Sequence, residues 1–139
     1  MGGDPNEAER SGASRQSVVL LVEDETLLRE TTAEYLRLSG FTVVEAATAA
    51  EAIAAFAAGE PVDVVFSDVQ LPGGATDGLR LARWVHRHRR GIPVLLTSGY
   101  GGAIGAAAWA GKSSFVAKPY RQKWLVSRLR NLLAKAQGR

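Results

Sequence analysis

The run Ser17-Val18-Val19-Leu20-Leu21-Val22-Glu23-Asp24-Glu25 decides the fold. Its continuous aliphatic stretch is largely β-branched and leaves no polar face. Such a stretch suits a strand buried on both sides, in a parallel sheet whose two faces are covered by helices. The run ends abruptly in consecutive acids. The same unit, an apolar run closed by a polar residue and followed by helical periodicity, recurs along the chain. Phe41–Glu45 reads as a second strand, and Val62–Ser67 as a third that ends at Asp68. Ile92–Leu96 reads as a fourth ending at Thr97, and Ser114–Ala117 as a fifth ending at Lys118.

Helical patterns fill the intervals. Thr26–Ser39 places Leu28, Thr32, Tyr35 and Leu36 on one face, with Gly40 as the stop. Thr48 caps a helix through Ala58 that turns Ala52, Ile53 and Phe56 inward. Asp77 opens a third helix, with Leu81, Ala82 and Val85 inward and Gly91 at its end. Tyr120–Ala136 forms the last, with Leu125, Leu129, Leu132 and Leu133 inward. This alternation predicts an α/β fold with a parallel sheet. Only Gly99–Gly111 resists, because Gly99, Gly101, Gly102 and Gly105 crowd its start and each interior glycine costs about 1 kcal/mol relative to alanine. A short or frayed helix over Ala103–Ala110 is expected there.

Composition bounds the chemistry. A chain of 139 residues is one domain's worth, long enough to bury a core. It has no cysteine, which excludes disulfides, thiolate metal sites and cysteine nucleophiles. Residues 1–16 are polar and aperiodic and predict a disordered tail ahead of a single domain over residues 17–137. No secretory signal is present, and the uncharged stretch Gly91–Gly111 holds six glycines, so it reads as strand plus loop rather than a membrane span. A soluble cytoplasmic protein is expected.

The net charge of +3 conceals a division. Residues 1–77 carry all 14 acids and four bases, whereas residues 78–139 carry 13 bases and no acid. That pattern points to an acidic site in one half and a basic surface in the other. Arg80, Arg83, Arg87, Arg89 and Arg90 crowd the third helix. No nucleic-acid reading motif accompanies them, so a solvated face or an acidic protein partner is expected and DNA is not. Two phosphate-binding look-alikes fail on context. AAAWAGKS at Ala106–Ser113 is followed by a strand, not a helix, and the Gly99-Tyr100-Gly101-Gly102 stretch has Ile104 where a third glycine is needed. His86 and His88 do not share a helix face.

The candidate chemistry lies at the strand ends. Ligands of open parallel sheets bind at the carboxyl ends of the strands. Glu23, Asp24, Asp68, Thr97 and Lys118 would converge there. Two like charges about 4 Å apart repel by about 4 kcal/mol at an effective dielectric near 20. Three carboxylates therefore require protons or cations. Lys118 supplies one positive charge, and an all-oxygen donor set favours Mg²⁺ for the rest.

The segments VLLVEDE, VVFSDVQLPG, VLLTSGY and FVAKPY resemble the four signature segments of bacterial response-regulator receiver domains, over about residues 17–136. Their order and strand-end placement carry the resemblance. It implies a flavodoxin-like sheet of order 2-1-3-4-5 with helices on both faces. It makes Asp68 the phosphoacceptor, fed by a sensor histidine kinase or a histidine phosphotransfer protein. Mg²⁺ would be held by Glu23, Asp24, Asp68 and the Gln70 backbone carbonyl. Thr97 and Lys118 would bind phosphoryl oxygens, and Thr97 with Phe115 would form the switch. Lys118-Pro119 would be cis. Output would pass by protein contact, on a face holding Trp109, Tyr120 and Trp124, from a stand-alone receiver similar to those of hybrid kinases. A fragment of such a kinase is the other possibility. Glu23 departs from the more usual Asp, and the loop after Asp68 is longer than the common form.

Simpler readings stand beside these. Asp68 as a plain turn residue and Lys118 as a plain surface residue are outweighed by their joint match. Phe115 as ordinary core stays open. Two competing functions remain: an aspartate-nucleophile phosphatase, disfavoured because residue 70 is Gln where that class wants Asp, and a degenerate receiver that binds partners without phosphorylation.

Overall fold

The computed structural model describes residues 15–74, 77–99 and 114–138. Five strands, β1 (Val18–Val22), β2 (Thr42–Ala46), β3 (Val64–Asp68), β4 (Val94–Ser98) and β5 (Ser114–Ala117), form one sheet in the order β2-β1-β3-β4-β5. Every adjacent pair is parallel. Four helices are described: α1 (Thr26–Leu38), α2 (Ala49–Ala57), α3 (Asp77–His88) and α4 (Gln122–Gly138). The architecture is the flavodoxin-like one expected. Strand bounds shift by up to two residues from the sequence reading. The expected tail lies outside the described residues except for Arg15 and Gln16, and the expected helix over Ala103–Ala110 lies outside them entirely.

Side-chain alternation along the strands divides the core in two. Leu20, Val22, Val65 and Leu96 pack with Ala52 and Phe56 of α2 and Leu81, Ala82 and Val85 of α3. Val19, Leu21, Val64, Phe66 and Leu95 pack with Ala33 and Leu36 of α1 and Leu125, Leu129 and Leu133 of α4. The central strands β1, β3 and β4 are buried at every position. This explains their unbroken apolar runs and the rapid switch to polar residues where they emerge.

Local signals set the helix ends. Gly40 has φ +104°, its amide donates to the Arg37 carbonyl, and the Phe41 amide donates to the Leu36 carbonyl at 3.0 Å. This is a left-handed glycine stop closed by a buried Leu36–Phe41 contact. The Thr48 hydroxyl accepts the Glu51 amide at 3.0 Å, and Glu51 Oε1 accepts the Ala47 amide at 2.7 Å. Both outcomes match the sequence reading.

Gly78, at the start of α3, holds the helix against the strand that carries Asp68. Its amide donates to the Val69 carbonyl at 2.7 Å, and a Cβ at this position would lie 1.8 Å from the Asp68 carbonyl oxygen. Helix propensity alone makes Gly78→Ala favourable by about 1 kcal/mol. The backbone contact predicts the opposite, a loss of about 1–3 kcal/mol as α3 is forced off β3. Urea unfolding checks this: a lowered midpoint is expected, and an unchanged or raised midpoint contradicts the packing argument.

Candidate functional site

The carboxyl ends of β1, β3, β4 and β5 face a common cleft of about 450 Å³, lined among others by Glu23, Asp24, Asp68, Gln70 and Lys118. Each side chain arrives there by register. Asp68 is the last residue of β3 and pairs with Thr97 of β4. Glu23 and Asp24 follow β1 directly, and Lys118 follows β5. Pairing of β1 with β3, and of β3 with β4, sets these ends side by side.

Lys118 bridges the two buried acids. Its Nζ lies 3.2 Å from Glu23 Oε1 and 3.1 Å from the Asp68 carboxylate. Glu23 is 5% exposed and Asp68 6%. The other oxygen of Glu23 accepts the Glu25 amide at 3.0 Å. Carboxylate oxygens of Glu23, Asp24 and Asp68 all fall within 4.8 Å of one another, and Asp24 is the exposed member. The donor set is all oxygen, with two acids buried and one open to solvent, which fits a hard divalent cation that keeps some of its waters.

The electrostatics show the shortage of positive charge foreseen from sequence. Burial, and then the neighbouring Glu23 carboxyl, push Asp68 from 3.8 up to about 7, against the opposing pull of Lys118. Burial acts to lower the Lys118 pKa, but hydrogen bonding and attraction to Asp68 and Glu23 outweigh it and leave the ammonium held above its ordinary value. One lysine thus does not neutralise the cluster.

Thr97 is set beside Asp68 by the β3–β4 register. It is 2% exposed, and its Oγ1 has no hydrogen-bond partner among the described residues; the neighbouring Ser98 Oγ is in the same condition. A buried hydroxyl without a partner costs about 1–3 kcal/mol. The Thr97 hydroxyl, on the residue paired with Asp68, suits an anionic oxygen ligand. Phe115 is half-buried, pairs in register with Leu96, and packs on the α2–α3 side of the core. The Lys118–Pro119 peptide is cis, as the resemblance implied. Gln70 is exposed at the cleft rim.

One placement differs from expectation. Tyr120 does not join an outer docking face. Its ring meets Phe66 edge-on at 5.5 Å, and it lines a cavity of about 780 Å³ with Leu28 and Thr32, on the α1 side of the sheet. Its aromatic body completes the core beside Phe66, and burial raises the phenol pKa. Trp124 stays half-exposed with the Arg128 guanidinium 5.3 Å from its ring, and Trp109 lies outside the described residues.

The sequence reading missed Arg29, whose Nη1 donates to the Glu23 carbonyl at 2.8 Å and whose Nε meets Glu45 at 3.3 Å. Its signal was rarity, since it is one of four bases in residues 1–77. Gly78 was also missed, because no local pattern marks a close helix–strand approach.

The raised Asp68 value has a consequence for stability. A carboxyl whose folded pKa exceeds its unfolded one binds more protons when folded, so its contribution falls as pH rises between about 4 and 7. Without added metal, Asp68→Asn is expected to be more stable than the parent near pH 8. That advantage shrinks as pH is lowered through about 7 toward 4. Paired denaturant titrations check this, and a pH-independent difference contradicts it.

Comparison with known proteins agrees with this arrangement. The family described as response regulator receiver domain matches residues 19–130. The transcriptional regulatory protein AruR of Pseudomonas aeruginosa is 34% identical over 125 residues, covering 86% of this chain and 50% of that protein. The chain therefore spans about half the length of this relative. A putative response regulator from Chloroflexus aurantiacus has a solved structure that superposes with a TM-score of 0.75 at 32% identity, over 86% of this chain and 99% of the other. A CheY-like receiver domain protein from Methanospirillum hungatei superposes with a TM-score of 0.79 at 23% identity, over 88% and 98%, a likeness of fold. Among the described residues no helix is long and apolar enough to cross a membrane. The chain belongs to the receiver domain family of two-component response regulators.

Proposed function

We propose that the chain is a phosphorylation-switched receiver in which Asp68 accepts a phosphoryl group from a phosphohistidine on a sensor kinase or phosphotransfer protein. The observation that carries the reading is the position of Asp68: a buried carboxylate at a strand end, 3.1 Å from the Lys118 ammonium and within reach of Glu23 and Asp24. An Asp68 oxygen attacks phosphorus, the bond to the donor's ring nitrogen breaks, and an aspartyl phosphate results. Lys118 meets one phosphoryl oxygen, and the free hydroxyl of Thr97 donates to another. The work of the protein is positioning and charge neutralisation.

Glu23, Asp24, Asp68 and the Gln70 carbonyl would hold Mg²⁺, which when bound would supply the positive charge that the acids lack. Its positive charge also favours the ionised form of Asp68 that attacks. As Thr97 turns to the phosphoryl group, Phe115 fills the space beside it. With no hydroxyl on its ring, that movement is driven by burial alone.

Output through protein contact follows from the same reading, with residues 17–137 as the switching unit and the cytoplasm as its compartment. We assign no turnover of exogenous substrates, since Gln70 stands where a phosphatase of the aspartate-nucleophile class needs a second acid.

Incubation with Mg²⁺ and a small acyl phosphate, followed by intact-mass measurement, tests the assignment. One phosphate adduct is expected. It disappears in Asp68→Asn, falls at least tenfold in initial rate in Lys118→Ala, and is lost on chelation of the metal. Absence of an adduct in the parent protein supports the phosphorylation-independent binding reading. Steady release of phosphate from an added phosphomonoester supports the phosphatase.

A further inference from the structure

We propose that Arg29 is a positioning residue for the cation site: it ties the turn bearing Glu23 and Asp24 to the outer strand β2 and so fixes where both carboxylates point. This rests on the site reading above.

The geometry is specific. The Glu23 backbone is held at both its amide and its carbonyl. Its amide donates to the Ala46 carbonyl at the end of β2 at 3.0 Å, and its carbonyl accepts Arg29 Nη1 at 2.8 Å. That carbonyl shares a planar unit with the Asp24 amide. Fixing its orientation therefore fixes the direction in which the chain leaves toward Asp24, the exposed acid of the cluster. Arg29 is itself anchored. Its side chain is 16% exposed, and Nε meets Glu45 Oε1 at 3.3 Å. Glu45 lies opposite Leu21 of β1, and its other oxygen meets Arg37 Nη2 at 3.2 Å. Arg37 in turn donates to the Val43 carbonyl at 3.0 Å. A continuous set of contacts thus runs from the β2 backbone through Arg37, Glu45 and Arg29 to the acidic turn. The planar guanidinium reaches a carbonyl and a carboxylate at once, which a lysine ammonium on this stem does less well.

The sign of one measurement separates this role from the alternatives. Arg29 is a cation near a cation site. By charge alone, removing it should tighten Mg²⁺ binding. A merely structural role should lower folding stability and leave the affinity of the folded protein unchanged. A positioning role predicts weaker Mg²⁺ binding despite the lost positive charge.

The test is calorimetric titration with Mg²⁺ alone on the full chain, with urea unfolding of the metal-free protein in parallel. Arg29→Gln is expected to weaken Mg²⁺ binding by about tenfold or more, the range seen when a partner that orients metal ligands is removed. Arg29→Lys should recover part of that loss. Glu45→Gln, which leaves Arg29 in place but loosens its anchor, should give a smaller loss in the same direction and serves if Arg29→Gln does not fold. Unchanged or tighter binding in Arg29→Gln, or in both Arg29→Lys and Glu45→Gln, overturns the proposal. If the parent protein does not bind Mg²⁺, or Asp24→Asn binds it as well as the parent does, the site reading itself fails. Parent binding that is sensitive to Asp24 but indifferent to Arg29 sinks only the positioning role.

Discussion

The structure depends on the Lys118 ammonium set between Glu23 and Asp68. These three groups come from positions as far apart as 23 and 118 in the chain, and the lysine contacts both acids at 3.1–3.2 Å. Burying two carboxylates within a few ångströms of each other and of Asp24 is unfavourable without compensation, and a single lysine compensates incompletely. Burial first, and then the neighbouring Glu23 carboxyl, displace Asp68 upward to about 7 against the pull of Lys118. A site short of positive charge suits a divalent cation, which is what the proposed phosphoryl chemistry calls for. The same imbalance that weighs on the folded state is what the proposed chemistry uses.

The fold supplies the deficit by register. Parallel pairing of β1, β3, β4 and β5 brings four strand ends level, so residues that follow four separate apolar runs meet in one cleft. Complete burial of β1, β3 and β4 leaves those polar residues little freedom of placement. The close approach of Gly78 to the Asp68 backbone fixes the β3 end from the helix side. The Arg29–Glu45 contacts hold the β1 end from the sheet edge. The strand that ends at Asp68 and the acidic turn are thus braced by different elements.

Much of this was legible in the sequence because strands buried on both faces announce themselves. Runs such as Val18–Val22 and Val64–Phe66 have no other economical reading, and each is followed within two residues by an acid that enters the site. Gly40 and Thr48 marked a helix stop and a helix start by local backbone chemistry, and both were found in those roles. Contacts set only by the packed structure were hidden. Tyr120 read as a surface aromatic next to Trp124, yet it turns inward onto Phe66, because the residues following Lys118 lead the chain back across the α1 side of the sheet. Arg29 looked like any helical arginine, since the carbonyl it holds belongs to a turn whose shape exists only after β1 and β2 pair. The acids of the cluster could be counted in advance, but the displacement of Asp68 required its burial to be known.

The most direct test of the central claim is a carboxyl ¹³C NMR titration of Asp68 in the metal-free protein, repeated with saturating Mg²⁺. The account predicts a midpoint near 7 without metal and a clear fall in that midpoint when Mg²⁺ is added. A midpoint near the ordinary 3.8 in both conditions would contradict it, because the carboxylates would then be neither short of positive charge nor arranged to share a cation.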